Sequence, residues 1–335
     1  MSTTQSNPTI GDRVRSISPR SLLDNSIAPI VLALVLVSAA LAVFTNSFMT
    51  PANISNIMTQ SAVVGVVAIG MTFVIITAGI DLSVGANLAL AGLVGAMVSQ
   101  ATGDGLLGII VLMLVVAGVG AFNGASVTVL RLAPFIVTLA TMGMARGLTL
   151  QLSQGQTVYG LPPSLGWIGS TSIGGISVAA ILTVVLFVIA HLVLKRTVFG
   201  HMVFAVGGNV EAARLAGIPV RRVIFACYLI AGVCAGIAAI ILLGRLDSAT
   251  PNAANGLELQ VIAAVVIGVT SLFGGKGSMV GTFIGVLLIG VINNGLTLLN
   301  VSSFWVQFVQ GALIFLAVLL DSLNSRRTSR RTGAA

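Results

Sequence analysis

The sequence predicts an all-α polytopic membrane protein with about ten transmembrane helices and cytoplasmic N- and C-termini. The first observation behind this is composition. Of 335 residues, 56% are hydrophobic and only 7% charged, and mean hydropathy is +1.10, whereas soluble domains carry about a quarter charged residues. The second is that the 39 glycines suit helices packed through small residues. The third is where the basic residues fall once the apolar runs are read as spans.

A span needs about 20 apolar residues, and boundaries fall where Gly, Pro and charge cluster. The runs are roughly 27–44, 57–78, 82–98, 106–130, 135–152, 176–194, 223–243, 259–273, 280–299 and 304–320. With the N-terminus and its Arg13, Arg15 and Arg20 in the cytoplasm, alternation puts Arg131, the 195–222 loop, Lys276 and the C-terminal tail on that same side. That side then holds fourteen of the 16 basic residues, leaving Arg245 outside and Arg146 within a helix. The domain plan is a cytoplasmic tail 1–26, a membrane-spanning body 27–321 and a basic cytoplasmic tail 322–335.

Some runs admit a second reading. Basic residues, an apolar run and Ala40-Leu41-Ala42 resemble a secretory leader, but the run is long and the 26-residue head unusual, so an uncleaved first span is expected. The eighth run is near 15 residues and leads straight into FGGKGS (273–278). Short, Gly-interrupted spans mark functional sites in transporters, although a tilted helix also explains them. Cys227 and Cys234, the only cysteines, would lie roughly 10 Å apart on one helix, too far for a disulfide. No metal-ligand spacing exists, and no catalytic constellation is present.

GNVEAARLAGIPVRR (208–222) is the one stretch that reads like a soluble helix. Asn209 is a good N-cap, Glu211 lies in the first turn and Arg214 three residues on, Gly217 suits the position after the C-cap, and Pro219 stops the chain. A helix of about two turns over 210–216 is expected at the cytoplasmic face. It either packs on its own bundle or docks a soluble partner.

This segment resembles the coupling segment of ABC importer permeases, specifically the ribose-type sugar permease family. GIDLSVGANLALAG (79–92), IAAVVIGVTSLFGGKGSMVGTFIGVLLIGVINNG (262–295) and FWVQFVQGALIFLAVLLD (304–321) are similar to further signatures of that family, from about residue 50 onward. The family commonly has an acidic residue where this chain has Gln260. The resemblance implies the ABC importer permease fold, with Gly208, Asn209, Glu211, Ala212, Arg214 and Gly217 facing a cytoplasmic ATPase subunit. It also implies a second permease chain (identical or paralogous), an external solute-binding protein, and transport of a monosaccharide or similar small polar solute across a bacterial plasma membrane. No cofactor is expected on this chain, ATP being bound by the partner.

The motif residues have their own physical reading. Asp81, beside Ser83 and Gly85, is placed at a tight turn at the membrane edge, where its carboxylate can cap the third helix. Ser278, after Gly274, Gly275, Lys276 and Gly277, can cap the ninth. Ser-X-Gly at 83–85 and Ser-X-X-Gly at 278–281 hint at an internal repeat. GGKGS does not fit the phosphate-loop spacing.

Polar residues within the spans are candidates for a translocation path: Asn123, Thr138, Thr141, Arg146, Gln151, Asn293, Asn294, Gln307 and Gln310. Interhelical hydrogen bonding is the plainer role for most of them. Arg146 either neutralises a helix C-terminus or lines the path. Outside, Tyr159, Pro162, Pro163 and Trp167, with Arg245, Asp247 and Glu258, form natural docking surfaces, and aromatics there also anchor to the interface. The tail RRTSRR (326–331) suits anionic lipid and lacks the aromatics of a nucleic-acid site. Remaining alternatives are a secondary transporter, which usually relies on intramembrane carboxylates, a membrane protein without transport, and a permease for branched-chain amino acids.

Overall fold

The computed structural model describes residues 27–302 together with 305, 308–312, 315 and 319. The predicted tails 1–26 and 322–335, with RRTSRR, lie outside the described residues, as do Gln307 and most of the 304–320 run.

Over residues 27–302 twelve helices follow one another: α1 (Ala28–Phe44), α2 (Pro51–Ile76), α3 (Val84–Thr102), α4 (Gly105–Thr128), α5 (Pro134–Ser153), α6 (Pro163–Ser170), α7 (Val178–Arg196), α8 (Val198–Gly208), α9 (Val210–Leu215), α10 (Val220–Leu246), α11 (Leu257–Ile267) and α12 (Met279–Leu298). Among the described residues, four two-residue strands decorate the connections. β1 (Val158–Tyr159) pairs antiparallel with β4 (Ser248–Ala249), and β2 (Ser172–Ile173) with β3 (Ile176–Ser177).

The helix starts follow from sequence. Pro51 takes the first turn of α2, where its missing N–H costs nothing, and the Thr50 hydroxyl caps it by accepting from the Asn53 amide. Asp104 caps α4 by accepting from Leu106 and Leu107. Gly103, at φ +72, lets α3 end and turn at once into α4.

Among the described residues, seven helices are long and apolar enough to cross a membrane: α2, α3, α4, α5, α7, α10 and α12. They are not equivalent. α2 is the inner post, with 89% of its most apolar window buried, against 28% for α4 and for α5. α10 lies across it and packs on both α2 and α4. At the α2–α10 crossing a Cβ on Gly70 would come within 2.6 Å of the Ala231 Cα, so the two backbones touch as small-residue contacts in membranes allow.

Two of the predicted segments differ in detail. The run 259–273 is only the 11-residue α11, about 16 Å long, roughly half a bilayer core. It stops at Gly268 because the backbone of α12 presses there: a Cβ on Gly268 would come within 2.6 Å of Thr282. The loop 195–222 is mostly helical, since α8 precedes α9 within it. Both cysteines are buried and free, as their spacing requires.

The last turn of α2, the 77–83 turn, the start of α5, the α8–α9 segment and the 271–278 loop all gather at one end of the bundle. Arg131, Lys195, Arg196, Arg214, Arg221, Arg222 and Lys276 lie in or beside the connections at this α9 end.

Candidate functional site

α9 is built as its sequence dictates. The Asn209 side chain accepts from the Ala212 amide at 2.9 Å. At the other end the Gly217 amide donates to the Arg214 carbonyl and the Ile218 amide to the Ala213 carbonyl, both at 3.0 Å, with Gly217 at φ +80. These two bonds define a Schellman terminus, which needs the left-handed residue that glycine supplies. Arg214 and Glu211 form an ion pair at 2.6 Å with side chains 70% and 67% exposed. Only Ala213 is buried, while Leu215 is 87% exposed. α9 therefore keeps one residue for its own bundle and leaves the rest exposed. Gly208 closes α8 rather than belonging to α9.

The turn after α2 holds a buried polar chain. Asp81 Oδ1 accepts from the Ser83 amide at 2.9 Å and from the Ser83 hydroxyl at 2.6 Å. The Ser83 Oγ accepts in turn from Asn87 Nδ2 and Asn123 Nδ2, both at 2.9 Å. Thr141 then donates to Asn123 Oδ1 at 2.7 Å, and Thr138 donates to the Ile80 carbonyl at 3.1 Å. A hydroxyl has one proton and two lone pairs, so Ser83 is fully used and ties α3, α4 and α5 to the turn. Burial raises the Asp81 carboxyl pKa, and the bonds from the Ser83 hydroxyl and amide oppose that rise.

Asp81 is accordingly not the helix cap that the sequence suggested. It sits in the turn between α2 and α3, as expected, but is 2% exposed there, and Ser83 holds the N-cap position of α3 without a capping bond. The hydroxyl that would cap is spent on the side chains around it. Ser278 does cap α12, accepting from the Gly281 amide at 3.2 Å, so the two Ser–Gly echoes play different roles. Gly85 packs on the start of α11 and the segment before it, where a Cβ would come within 2.6 Å of Glu258 Oε2 and 2.7 Å of the Ala254 carbonyl oxygen. In the 271–278 loop, Gly274 and Gly275 adopt φ +80 and +71, Gly277 is half-buried and Lys276 is exposed.

The path candidates on α12 are paired with polar side chains. Asn294 and Asn53 exchange two side-chain bonds of 2.8 and 3.0 Å. Asn293 donates to Gln260 at 3.3 Å and accepts from Gln310 at 3.1 Å. Gln151 is exposed. Arg146 does not neutralise a helix C-terminus: its Nη1 donates to the carbonyls of Pro251 and Ala253 at 3.0 and 3.2 Å, pinning the irregular stretch before α11. Sequence reasoning passed over Asn87, which bonds to Ser83 one turn back, and Asn53, whose partner Asn294 is 241 residues away in the chain. An apolar groove of about 400 Å³ opens between α3, α4 and α5, lined by residues including Leu90, Val119, Phe122, Thr141 and Leu148. Among the described residues no cluster of three metal-ligating side chains occurs.

The chain matches the family model described as "Branched-chain amino acid transport system / permease component" over residues 53–318. It is similar to the ribose import permease protein RbsC of Bacillus subtilis (strain 168), 46% identical over 88% of this chain and 92% of that protein. The ribose import permease protein RbsC of Escherichia coli (strain K12) is 40% identical over 87% and 92%. The L-arabinose ABC transporter permease protein AraH of Azospirillum brasilense is 37% identical over 90% and 88%. No solved structure matches the chain.

Proposed function

The chain belongs to the branched-chain amino acid transport system / permease component family, and from that membership we propose that it is the membrane-spanning subunit of an ATP-driven importer for a monosaccharide. The observation that carries the substrate class is the likeness to ribose and arabinose permeases over most of both chains, which favours sugar over a branched-chain amino acid. ATP is bound and hydrolysed on a separate cytoplasmic subunit. The exposed, firmly capped α9 supports that division of labour, because a two-turn helix kept out of the bundle suits docking. A second permease chain and an external solute-binding protein complete the assembly in a bacterial plasma membrane.

In this reading the α9 end is cytoplasmic, which gathers the basic connections on the side that the positive-inside rule requires. α1, the 304–320 run, and α11 with the extended stretch before it complete the ten crossings. Irregular backbone at membrane depth is tolerated where it is buried in protein or lines a cavity. The 250–256 segment, held by Arg146, therefore borders the solute path, and ATP-driven movement of α9 alternates access to that path. The chain performs no bond chemistry.

Uptake into right-side-out or reconstituted vesicles, with ATP inside, tests the reading. Labelled ribose should accumulate with ATP and the binding protein present, should survive a protonophore at constant ATP, and should not be displaced by excess leucine. Loss on collapse of the proton gradient alone would favour a gradient-driven carrier.

A further inference from the structure

Two glycine pairs lie where the root of α9 meets the rest of the bundle. α8 ends on Gly207-Gly208, directly before the Asn209 cap of α9. Gly274-Gly275 sits in the 271–278 loop. The pairs are stacked backbone on backbone. A Cβ on Gly207 would overlap the Ile76 carbonyl oxygen and come within 2.6 Å of the Gly275 nitrogen. On Gly274 it would lie 2.9 Å from both the Gly207 oxygen and the Ala78 Cβ, and on Gly275 it would lie 2.9 Å from the Gly208 Cα. The Gly275 amide donates to the Ile76 carbonyl at 2.9 Å and closes the contact.

Three segments thus meet with almost no side chain between them: the root of α9, the end of α2 and the loop entering α12. Packed backbone has no rotamer through which to absorb a displacement, and close-packed interiors transmit strain. From this point two rigid exits lead away. One passes through Ile76–Gly79 to Asp81 and Ser83, and from there by hydrogen bonds to α4 and α5, the helix that carries Arg146. The other passes through the Ser278 cap into α12, which carries Asn293 and Asn294.

We propose that this glycine junction is where displacement of α9 enters the membrane-spanning helices, and that Gly207, Gly274 and Gly275 are positioning residues for energy coupling. The proposal rests on the reading that α9 engages an ATPase. It unites the GIDLSVG and FGGKGS stretches as the two surfaces against which the α8–α9 unit is clamped. The competing route is covalent, through Gly217 and Pro219 into α10, with the glycine contact serving only as tight packing.

The test uses the whole complex in proteoliposomes, with wild type, Gly207→Ala and Gly275→Ala. A wild-type complex without ATP-driven uptake overturns the importer reading, and this proposal with it, before any variant is made. Given an active wild type, the variants should assemble with the ATPase and hydrolyse ATP, while solute moved per ATP falls roughly tenfold, as expected on losing a typical coupling free energy between sites. Assembled variants whose solute-to-ATP ratio stays at the wild-type value overturn the junction. A variant that fails to assemble leaves a second measurement, paired spin labels on His201→Cys in α8 and Lys276→Cys in the loop. Their separation should be the same in the nucleotide-free and ATP-trapped complexes, since a clamp moves as one body; a nucleotide-dependent change in it overturns the proposal.

Discussion

Replacing Ser83 by alanine should cost more stability than its size suggests. The change removes one oxygen, yet three hydrogen bonds go with it: the donation to Asp81 and the acceptances from Asn87 and Asn123. Side-chain bonds between membrane helices average about 0.6 kcal/mol, so three set a floor near 2 kcal/mol. The surroundings raise that figure. Ser83, Asn87 and Asn123 are 0–2% exposed, so the two amide donors are stranded without water, and an unmade buried bond costs about 1–3 kcal/mol. The expected loss is about 2–5 kcal/mol. Ser278→Ala is the matched control, because it removes a single capping bond, worth about 1 kcal/mol. Purified protein titrated with denaturing detergent in mixed micelles gives both values. If Ser83→Ala costs no more than Ser278→Ala, the three-way bonding of the hydroxyl is not what holds α3, α4 and α5 to the turn.

Other consequences are as direct. Glu211→Lys replaces one member of an exposed ion pair, worth less than about 1 kcal/mol, so the unfolding midpoint should hold while ATPase binding weakens; a large stability loss with intact binding would contradict the docking role. Gly217→Val forces a β-branched residue to φ +80, a strain of about 1–3 kcal/mol confined to the end of α9, and uptake should fall while the protein remains inserted; normal uptake would place the joint elsewhere. Arg146→Leu leaves the Pro251 and Ala253 carbonyls without their donor. Amide exchange over 250–257 should then quicken by roughly tenfold or more, and unchanged protection there would show that the segment holds itself.

Local signals were legible in the sequence and distant ones were not. Asn209, Gly217 and Pro219 announce α9 because caps act within one turn of chain, and the structure places the helix within a residue of its expected bounds. Ser278 was readable as a cap for the same reason. Ser83 as a hub was not, because its partner Asn123 stands 40 residues away and nothing in the string brings the two together. α11 is shorter than the apolar run 259–273, whose composition reads as one helix; what ends it at Gly268 is the backbone of α12, a tertiary contact. α8 was missed because VFGHMVFAVGG carries two terminal glycines and only a threonine cap from outside its own run. Arg146 was recognised as unusual from burial logic, yet its acceptors are main-chain carbonyls more than 100 residues on, which no side-chain pattern encodes.

The most direct test of the importer reading is capture of the detergent-solubilised chain from its native host, wild type beside Glu211→Lys, with the co-purifying proteins identified. An ATPase bearing nucleotide-binding motifs should accompany the wild type and be lost or depleted with the variant. Wild-type protein that emerges without any ATPase would contradict the assignment of this chain as the membrane half of an ATP-driven sugar importer.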